Sequence, residues 1–324
     1  MIFSGEILPA VLIAIIADAI IGDPDRIWRR WPHPVVWFGA LLRRLDGRLN
    51  DESEGFAMRR AKGVLALVLL LGVAALGGVL LQDLLSQLSF APLWIGLAGS
   101  ILLAQRSLYD HVARVRDALA QHGLAAARRE IAMVVGRDPE SLDEAALSRA
   151  AIETTAENFS DGVVAPVFWF CLLGLPGLVL YKAINTADSM IGHRSPRYEA
   201  FGWAAARLDD LVNLVPARLA GFLIALAVAV VGKNPVSAAA IMLRDARLHR
   251  SPNAGWPEAA MAGGLGIALA GPRRYGARVV EDPFLNPSGR RDIGAEDIDR
   301  ALKVMAAACA LEALLVALLA LALA

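Results

Sequence analysis

Cysteine is scarce in this sequence. Its two cysteines, Cys171 and Cys309, lie far apart in apolar stretches, which excludes a cysteine-rich metal knuckle and the disulfide framework of a small secreted domain. An excess of charge is also absent, because 32 basic residues balance 32 acidic residues. No overall field would draw a nucleic acid to the chain, and we therefore expect no nucleic-acid partner.

Common enzyme signatures are absent as well. The chain has no G-x-x-x-x-G-K-[ST] loop, no dinucleotide-binding glycine fingerprint, no G-x-S-x-G and no H-E-x-x-H. A nucleotide would have to bind through a metal ion and individual side chains. The N-terminus lacks the basic region and cleavage site of a signal peptide, since Glu6 precedes the apolar run 7–21, so we expect this run to be retained.

Apolar residues are abundant, at 56% of the 324 residues. Soluble domains usually carry about 45–50%, so the composition predicts an all-α, polytopic helical membrane protein with cytoplasmic amphipathic helices and motif-bearing loops. A span needs about 20 apolar residues, a length that 63–81, 211–231 and 304–324 approach or reach. Shorter or interrupted runs bring the expected number of spans to about five to seven; they are 7–21, 92–104, 163–181 and 259–270.

The distribution of lysine and arginine predicts which loops face the cytoplasm. Loop 82–90 contains neither residue, so the positive-inside rule places it outside and places 22–62 and 105–162 inside. Apolar residues recur at helical spacing in 105–162. We therefore predict a mainly cytoplasmic helical insertion there, within a single integral membrane domain that covers 1–324.

The run 163–181 is interrupted by Gly174, Pro176 and Gly177. If it crossed the membrane completely, the polar segments on its two sides would face opposite compartments. Glycine and proline can divide a membrane helix into half-helices where neighbouring protein satisfies the freed backbone groups. We therefore expect the run to re-enter, with its turn at 174–177.

The first polar segment with possible chemistry ends just before this run. On a helix, Glu153, Glu157 and Asp161 share one face, and Asn158 lies beside them. Like charges at this spacing repel unless a cation lies between them. A solvated acidic face is the alternative, although the neighbouring apolar run argues against it.

The second polar segment carries Lys182, Asn185, Asp188 and Ser189 at helical spacing. A lysine beside oxygen ligands suits a phosphate that is held together with a divalent ion. The alternative is a snorkelling lysine next to helix-capping residues.

The third polar segment contains Arg207, Asp209 and Asp210, with Asn213 one turn later, and Arg218 follows inside an apolar run. Adjacent aspartates can hold Mg²⁺ together with water and phosphate oxygens. An intramembrane arginine usually faces a partner or a cavity, although a position near the helix end also allows snorkelling.

The fourth polar segment, 244–258, contains two prolines and a glycine, which predict a loop that holds polar groups at defined angles. Its basic residues could bind phosphate or carboxylate, or they could be flanking charges of the positive-inside kind. The candidate substrate-binding residues here are Arg244, Ser251, Asn253 and Glu258.

Together these segments resemble the adenosylcobinamide-phosphate synthase family of cobalamin biosynthesis, known as CbiB or CobD. The resemblance covers about residues 6–290, and it rests on Gly22-Asp23-Pro24 with His33-Pro34, 153–162 with Ala165-Pro166, 181–190, Phe201-Gly202 with 206–213, and 244–258. It implies an amide synthase that uses ATP and Mg²⁺ to join a propionate carboxylate of adenosylcobyric acid to the amine of (R)-1-aminopropan-2-yl phosphate or a related amino-alcohol phosphate. It also implies a multi-pass protein of the bacterial inner membrane with its active site facing the cytoplasm. The expected partners are a corrinoid, the amino-alcohol phosphate, the lipid bilayer and other membrane enzymes of the pathway.

We assign predicted roles to the polar residues on this basis. The predicted catalytic residues are Glu153, Glu157, Asp161, Lys182 and Asp188. The predicted substrate-binding residues are Asn158, Asn185, Ser189, Arg207, Arg218, Arg244, Ser251, Asn253 and Glu258. The predicted metal ligands are Glu157, Asp161, Asp209 and Asp210.

A transporter is the alternative hypothesis, because Asp18, Arg218 and Glu312 lie in apolar runs and could line a substrate path. A membrane signalling protein of the β-lactamase-induction type is a weaker relative of the same family. The number of polar segments outside the apolar runs favours an enzyme.

Overall fold

The computed structural model describes residues 7–24, 28–132, 140, 142–275 and 278–323. These residues are helical nearly throughout, and their short strands form two-stranded antiparallel sheets. The stretches long and apolar enough to cross a membrane are Phe56–Ser86, Glu144–Ile191, Leu214–Val231 and Ala295–Ala322. The prediction of a polytopic helical membrane protein is confirmed.

In chain order the helices are α1 (Ile7–Ile21), α2 (Pro34–Leu49), α3 (Phe56–Ser86), α4 (Ala91–Ser100), α5 (Gln105–His122), α6 (Leu124–Ile131), α7 (Glu144–Phe159), α8 (Ala165–Ile191), α9 (Trp203–Val212), α10 (Leu214–Ala227), α11 (Pro235–Asp245), α12 (Gly255–Leu265) and α13 (Ala295–Ala322). A π-helix spans Ser160–Val164, and 3₁₀-helices span Val228–Val231 and Ala246–Leu248. The strands are β1 (Leu269–Ala270), β2 (Arg273–Tyr275), β3 (Arg278–Val280) and β4 (Phe284–Leu285), paired β1 with β4 and β2 with β3.

The chain divides into two compact units, and the first is drawn from Met1–Ala104, Ala165–Asn213 and Val316–Ala324. Small side chains on one face of α3 let α8 and the segment before α9 pack closely against it. The core formed in this way contains Leu42, Ala66, Leu67, Leu70, Ala74, Ala183, Ala187, Ile191, Phe201 and Ala205. The opposite face of α3 exposes Val68, Leu76 and Leu80, as expected for a helix in contact with lipid.

Helix α8 reverses direction at Gly174, where φ is 69° and ψ is −156°, a conformation that favours glycine. A Cβ atom on Gly177 would lie 2.5 Å from the carbonyl oxygen of Trp169. Eight residues of straight helix would separate the two backbone positions by about 12 Å. The two halves of α8 therefore form a hairpin, which confirms the predicted turn at 174–177.

Two hydrogen bonds support the reversal. Trp169 Nε1 donates to the carbonyl oxygen of Val212 at 3.1 Å, and Tyr181 Oη donates to Asn213 Oδ1 at 3.0 Å. Trp169, before the turn, and Tyr181, after it, thus bind to adjacent residues at the end of α9. Although 144–191 is one apolar helical stretch of spanning length, the kink at Gly174 prevents it from crossing a membrane as one straight rod.

The turn of the hairpin lies beside the C-terminal end of α3, because Gln82 Oε1 accepts a hydrogen bond from Leu175 N at 2.8 Å. Ile191, at the other end of the second half, packs in the core with Ala66 and Phe201. The second half of α8 therefore runs back along α3. The polar residues that follow it lie near the N-terminal end of α3, away from loop 82–90.

The second unit is drawn from Gln105–Val164 and Leu214–Leu315. Helices α5, α6 and α7 bury apolar residues against one another, and the helically spaced Leu108, Val112, Val115 and Leu119 all belong to this core. The prediction of amphipathic helices in 105–162 is therefore confirmed. Helices α10, α11 and α12 pack together in the same unit, while the cytoplasmic placement of 105–162 stays a prediction.

Several expected spans are too short. Helices α1, α4 and α12 have 15, 10 and 11 residues, against the roughly 20 that a span requires. The run 259–270 is not one helix, because α12 ends at Leu265, Gly266 caps it and the chain continues to β1. The described residues therefore contain 4 stretches of spanning length, fewer than expected.

The prediction that 244–258 forms a loop is wrong at both ends, because α11 extends to Asp245, a 3₁₀-helix spans Ala246–Leu248 and α12 occupies the last positions. Helix α12 begins at Gly255 and includes Glu258 in its first turn. Proline is tolerated in a first turn because the missing N–H would have no helical acceptor there, so Pro257 does not exclude a helix.

We expect two adjacent glycines of α3 to respond differently to alanine. A Cβ atom on Gly78 would lie 2.8 Å from the Cα of Pro176, whereas nothing lies within 4 Å of a Cβ on Gly77. Gly78→Ala should lower the unfolding temperature measured in detergent, because the hairpin must shift. Gly77→Ala should maintain or raise it, since alanine favours a helix over glycine by about 1 kcal/mol. Equal unfolding temperatures would contradict the close packing of the hairpin on α3.

Candidate active site

Three carboxylates of the first unit lie near enough to one another for their charges to interact. Asp188 lies near the end of α8, and Asp209 and Asp210 lie near the end of α9. The charges of Asp188 and Asp210 both act on Asp209, and Asp210 also acts on Asp188. We call Asp188, Asp209 and Asp210 the carboxylate cluster; the amides of Asn185 and Asn213 lie beside Asp209.

Asn213 connects the carboxylate cluster to the hairpin. Its Nδ2 donates to Asp209 Oδ2 at 3.0 Å, and its Oδ1 accepts from Tyr181 Oη at 3.0 Å. Tyr181 and Asn213 are each 1% exposed, so these hydrogen bonds are shielded from water and hold Asp209 in one orientation. Asp209 Oδ1 is buried and has no hydrogen-bond partner in the described part of the chain. A cation or a substrate donor would satisfy this oxygen.

Burial raises the pKa of Asp209 from 3.8 to about 7, and the negative charge of Asp188 adds to the rise. Hydrogen bonds from Asn213 and Asn185 act in the opposite direction. Burial also raises the pKa of Asp210, against the lowering effect of Arg207. Carboxylates this close cannot all ionise at low cost unless a cation lies near them.

Carboxylate oxygens are of the chemical kind that a magnesium ion prefers. Mg²⁺ prefers oxygen ligands, keeps several waters and commonly binds through one or two carboxylates together with substrate phosphates. Among the described residues there is no group of three or more His, Cys, Asp and Glu side chains arranged to hold a metal ion. The assignment of Asp209 and Asp210 as metal ligands stays a prediction.

The other residues predicted in this region lie on the two helices that carry the carboxylate cluster. Ser189 is exposed, and its Oγ donates to the carbonyl oxygen of Asn185 at 2.9 Å. Arg207 pairs with Asp210 at 3.4 Å. Lys182 lies on the same half-helix, about one turn before Asn185.

Gly192 also belongs to this site. A Cβ atom at this position would lie 1.9 Å from Asp188 Oδ1, so a larger residue would displace the carboxylate. Neither Gly192 nor Tyr181 has a local sign of a site role in the sequence. Tyr181 is 32 positions away from Asn213, a separation that no helical spacing rule covers.

The acidic residues of the first polar segment lie in the second unit and are not equivalent. Glu153 is 4% exposed and accepts a hydrogen bond from Ala270 N at 2.7 Å, which connects α7 to β1. Glu157 is exposed, and Asp161 is half-buried in the π-helix Ser160–Val164. A π-helix has a different period from an α-helix. The three carboxylates therefore differ in exposure, and their common face stays a prediction.

Two predicted substrate-binding residues of the second unit contact their own helices. Asn158 is exposed, and its Nδ2 donates to the carbonyl oxygen of Thr154 at 3.1 Å. Arg218 Nη1 donates to the carbonyl oxygen of Leu214. Both side chains also keep donors that could reach a ligand.

Arg244 forms a two-point ion pair with Asp245, at 2.6 Å and 2.7 Å. This pair holds the pKa of the Asp245 carboxyl below its usual value. Asp245 Oδ2 also accepts from Asn286 N at 2.8 Å. Arg244 therefore contributes to the local fold, and its predicted role in substrate binding stays a prediction.

The start of α12 is held by polar side chains. Ser251 Oγ accepts hydrogen bonds from the amides of Asn253 and Ala254, each at 3.2 Å. Glu258 is 2% exposed, and its Oε1 lies 3.6 Å from His249 Nε2. These contacts explain the local structure, while the predicted substrate contacts of Ser251, Asn253 and Glu258 stay predictions.

Comparison with known proteins identifies the family. Residues 11–305 match the family model described as CobD/Cbib protein. The chain belongs to the CobD/Cbib family. A Cobalamin biosynthesis protein CobD from Sinorhizobium sp is 51% identical over 312 residues, which cover 94% of this chain and 96% of the relative. Proteins of the same name from Brucella anthropi and Rhodobacter capsulatus are 51% and 50% identical, and the matches cover 90% and 85% of this chain and 90% and 86% of the relatives.

No solved structure matches the chain. Membership of the CobD/Cbib family confirms the predicted family and the predicted role in cobalamin biosynthesis, and it indicates a biosynthetic enzyme. The family match contains the carboxylate cluster and segment 244–258.

The raised pKa of Asp209 predicts how stability depends on pH. Between its unfolded value of 3.8 and its folded value of about 7, the folded protein keeps a proton that the unfolded chain has lost. Stability from this group is present at low pH and is lost as pH rises through 7. In Mg²⁺-free detergent buffer, the unfolding temperature of Asp209→Asn should therefore fall less than that of the unaltered protein from about pH 5 to about pH 8.

Asp83→Asn is the matched control, because Asp83 is exposed on α3 in the same unit. It should retain the pH dependence of the unaltered protein. If the unfolding temperature of Asp209→Asn falls as much as that of the unaltered protein, Asp209 does not hold this proton.

Proposed function

We propose that this CobD/Cbib-family protein is an ATP- and Mg²⁺-dependent amide synthase. It would join a propionate carboxylate of adenosylcobyric acid to the amine of (R)-1-aminopropan-2-yl phosphate or a related amino-alcohol phosphate. The carboxylate cluster carries the proposal: Asp209 presents an unsatisfied buried oxygen next to Asp188, within the segment that matches the family.

The chemistry explains why acidic and basic groups are both needed. A carboxylate becomes reactive toward an amine when its oxygen takes the γ-phosphoryl group of ATP and ADP leaves. The amine then attacks the acyl carbon, phosphate leaves and the nitrogen loses a proton. Mg²⁺, when bound, would offset the charge of the transferring phosphoryl group.

The residues of this chain would position the reactants for these steps. Asp188 and Asp209 would hold the cation through their oxygen atoms, and Asn213 fixes the orientation of Asp209. Lys182, about one turn before Asn185 on the hairpin, would offset negative charge on a phosphate. The cluster is half-buried, which limits competition from water for these contacts.

We expect the purified full-length protein to form the amide and ADP when it receives ATP, Mg²⁺, adenosylcobyric acid and aminopropanol phosphate. Asp209→Asn should lower the rate at least about tenfold by disturbing the metal site. Asp83→Asn, which removes an exposed carboxylate of the same unit, should keep the rate. Product mass and ADP release provide the measurements.

A protein that forms no amide but moves a corrinoid across proteoliposomes would overturn the proposed synthase and favour the transporter hypothesis. A normal rate in Asp209→Asn would instead remove the carboxylate cluster from the reaction while leaving the synthase activity in place.

We also propose that the active site faces the cytoplasm of a bacterial inner membrane. The support is that loop 82–90 lacks basic residues, while the hairpin returns Ser189 toward the opposite end of α3. In a variant with Cys171 and Cys309 replaced by serine, Ser89→Cys should react with an impermeant thiol reagent in intact spheroplasts. Ser189→Cys should react only after the cells are opened. Reaction of Ser189→Cys in intact spheroplasts would contradict this orientation.

A further inference from the structure

In the second unit, α10 and α12 meet at Trp256. The guanidinium carbon of Arg218 lies 4.5 Å from the centroid of the Trp256 ring. A Cβ atom on Gly221 of α10 would lie 3.1 Å from the carbonyl oxygen of Trp256. The helices are therefore in close contact, and the aromatic ring supports the guanidinium group through a cation–π interaction.

A second guanidinium group comes from the 3₁₀-helix Ala246–Leu248. This helix packs against the start of α12, since a Cβ atom on Gly255 would lie 2.1 Å from the carbonyl oxygen of Ala246. Arg247 lies near enough to Arg218 for their positive charges to repel each other. The packing of the backbone thus keeps two like charges close together.

The neighbouring arginines have acidic partners, but these two do not. Arg244 pairs with Asp245 at 2.6 Å, and Arg250 pairs with Asp282 at 2.5 Å. Across the residues that the structure describes, Arg218 and Arg247 form no ion pair. Repulsion between two uncompensated cations costs free energy, and a bound anion would remove that cost.

Simple snorkelling does not account for this arrangement. A snorkelling arginine extends its charged end into water, whereas Arg218 is half-buried, lies against Trp256 and donates back to the carbonyl oxygen of Leu214. Arginine donors match phosphate oxygens especially well, because the planar group offers paired N–H donors.

We propose that Arg218 and Arg247, with the ring of Trp256 supporting Arg218, form a binding site for a phosphate group. The phosphate belongs either to a small phosphate monoester or to the headgroup of an anionic lipid. The second source is included because Arg218 lies near the start of Leu214–Val231, a stretch of spanning length.

The test uses the full-length protein in an uncharged detergent with two probes at low salt. Calorimetry measures the affinity for (R)-1-aminopropan-2-yl phosphate, and native mass spectrometry measures retained phosphatidylglycerol. The variants are Arg218→Gln, Arg218→Lys and Arg247→Gln. Arg106→Gln is the matched control, because Arg106 is an exposed arginine of the same unit that pairs with Asp110.

We expect Arg218→Gln and Arg247→Gln each to weaken the binding of one of the two probes by about tenfold or more. Arg218→Lys should cause a smaller loss because it keeps the charge without the paired donors, and Arg106→Gln should have no effect. A loss confined to the phosphate monoester identifies a small-molecule site, and a loss confined to phosphatidylglycerol identifies a lipid site. Arg247 is exposed, so its substitution cannot act through a collapsed core.

Affinities within about twofold of the unaltered protein for both probes would overturn the phosphate site. If the unaltered protein binds neither probe, the proposed phosphate site is overturned as well. The small-molecule outcome rests on the proposed function, but the binding assay contains no ATP and no corrinoid. If amide synthesis fails, the binding result can still be interpreted by itself. If binding fails, the result of the synthesis assay can likewise be interpreted by itself.

Discussion

Away from water, a backbone N–H that loses its helical acceptor must find another partner. The break at Gly174 removes the helical acceptor of Leu175, and Gln82 provides a replacement through its side-chain oxygen. This one hydrogen bond lets the chain turn within apolar surroundings. The second half of α8 can then return along α3 and bring Asp188 to the end of α9.

The carboxylate cluster depends on this return. Asp188 and Asp209 come from different helices, and their approach is unfavourable as long as both are ionised and partly buried. The hydrogen bonds through Asn213 connect Asp209 to the helix that carries Asp188, and the glycine at position 192 leaves room for the Asp188 carboxylate. Free energy from folding thus maintains the approach of these carboxylates that the proposed cation site requires, which is a form of preorganisation.

The sequence predicted those features that depend on local chemistry. Gly174, Pro176 and Gly177 marked the turn, because glycine and proline change the backbone wherever they occur. Gln82 could not be assigned, since its partner lies 93 positions away. Helical spacing also gave no sign that Glu153 is buried against β1, because its partner Ala270 lies 117 positions away.

The chain reversal in α8 can be measured directly as a distance between spin labels on Phe168 and Ser189 in a cysteine-free full-length protein. With a rise of 1.5 Å per residue and half-helices about 8–10 Å apart, the hairpin predicts a separation of about 15–20 Å between the labelled backbone positions. A straight helix would separate these positions by about 32 Å. Pulsed electron paramagnetic resonance in lipid nanodiscs distinguishes the two, and a single population at the longer distance would contradict the hairpin and the site built on it.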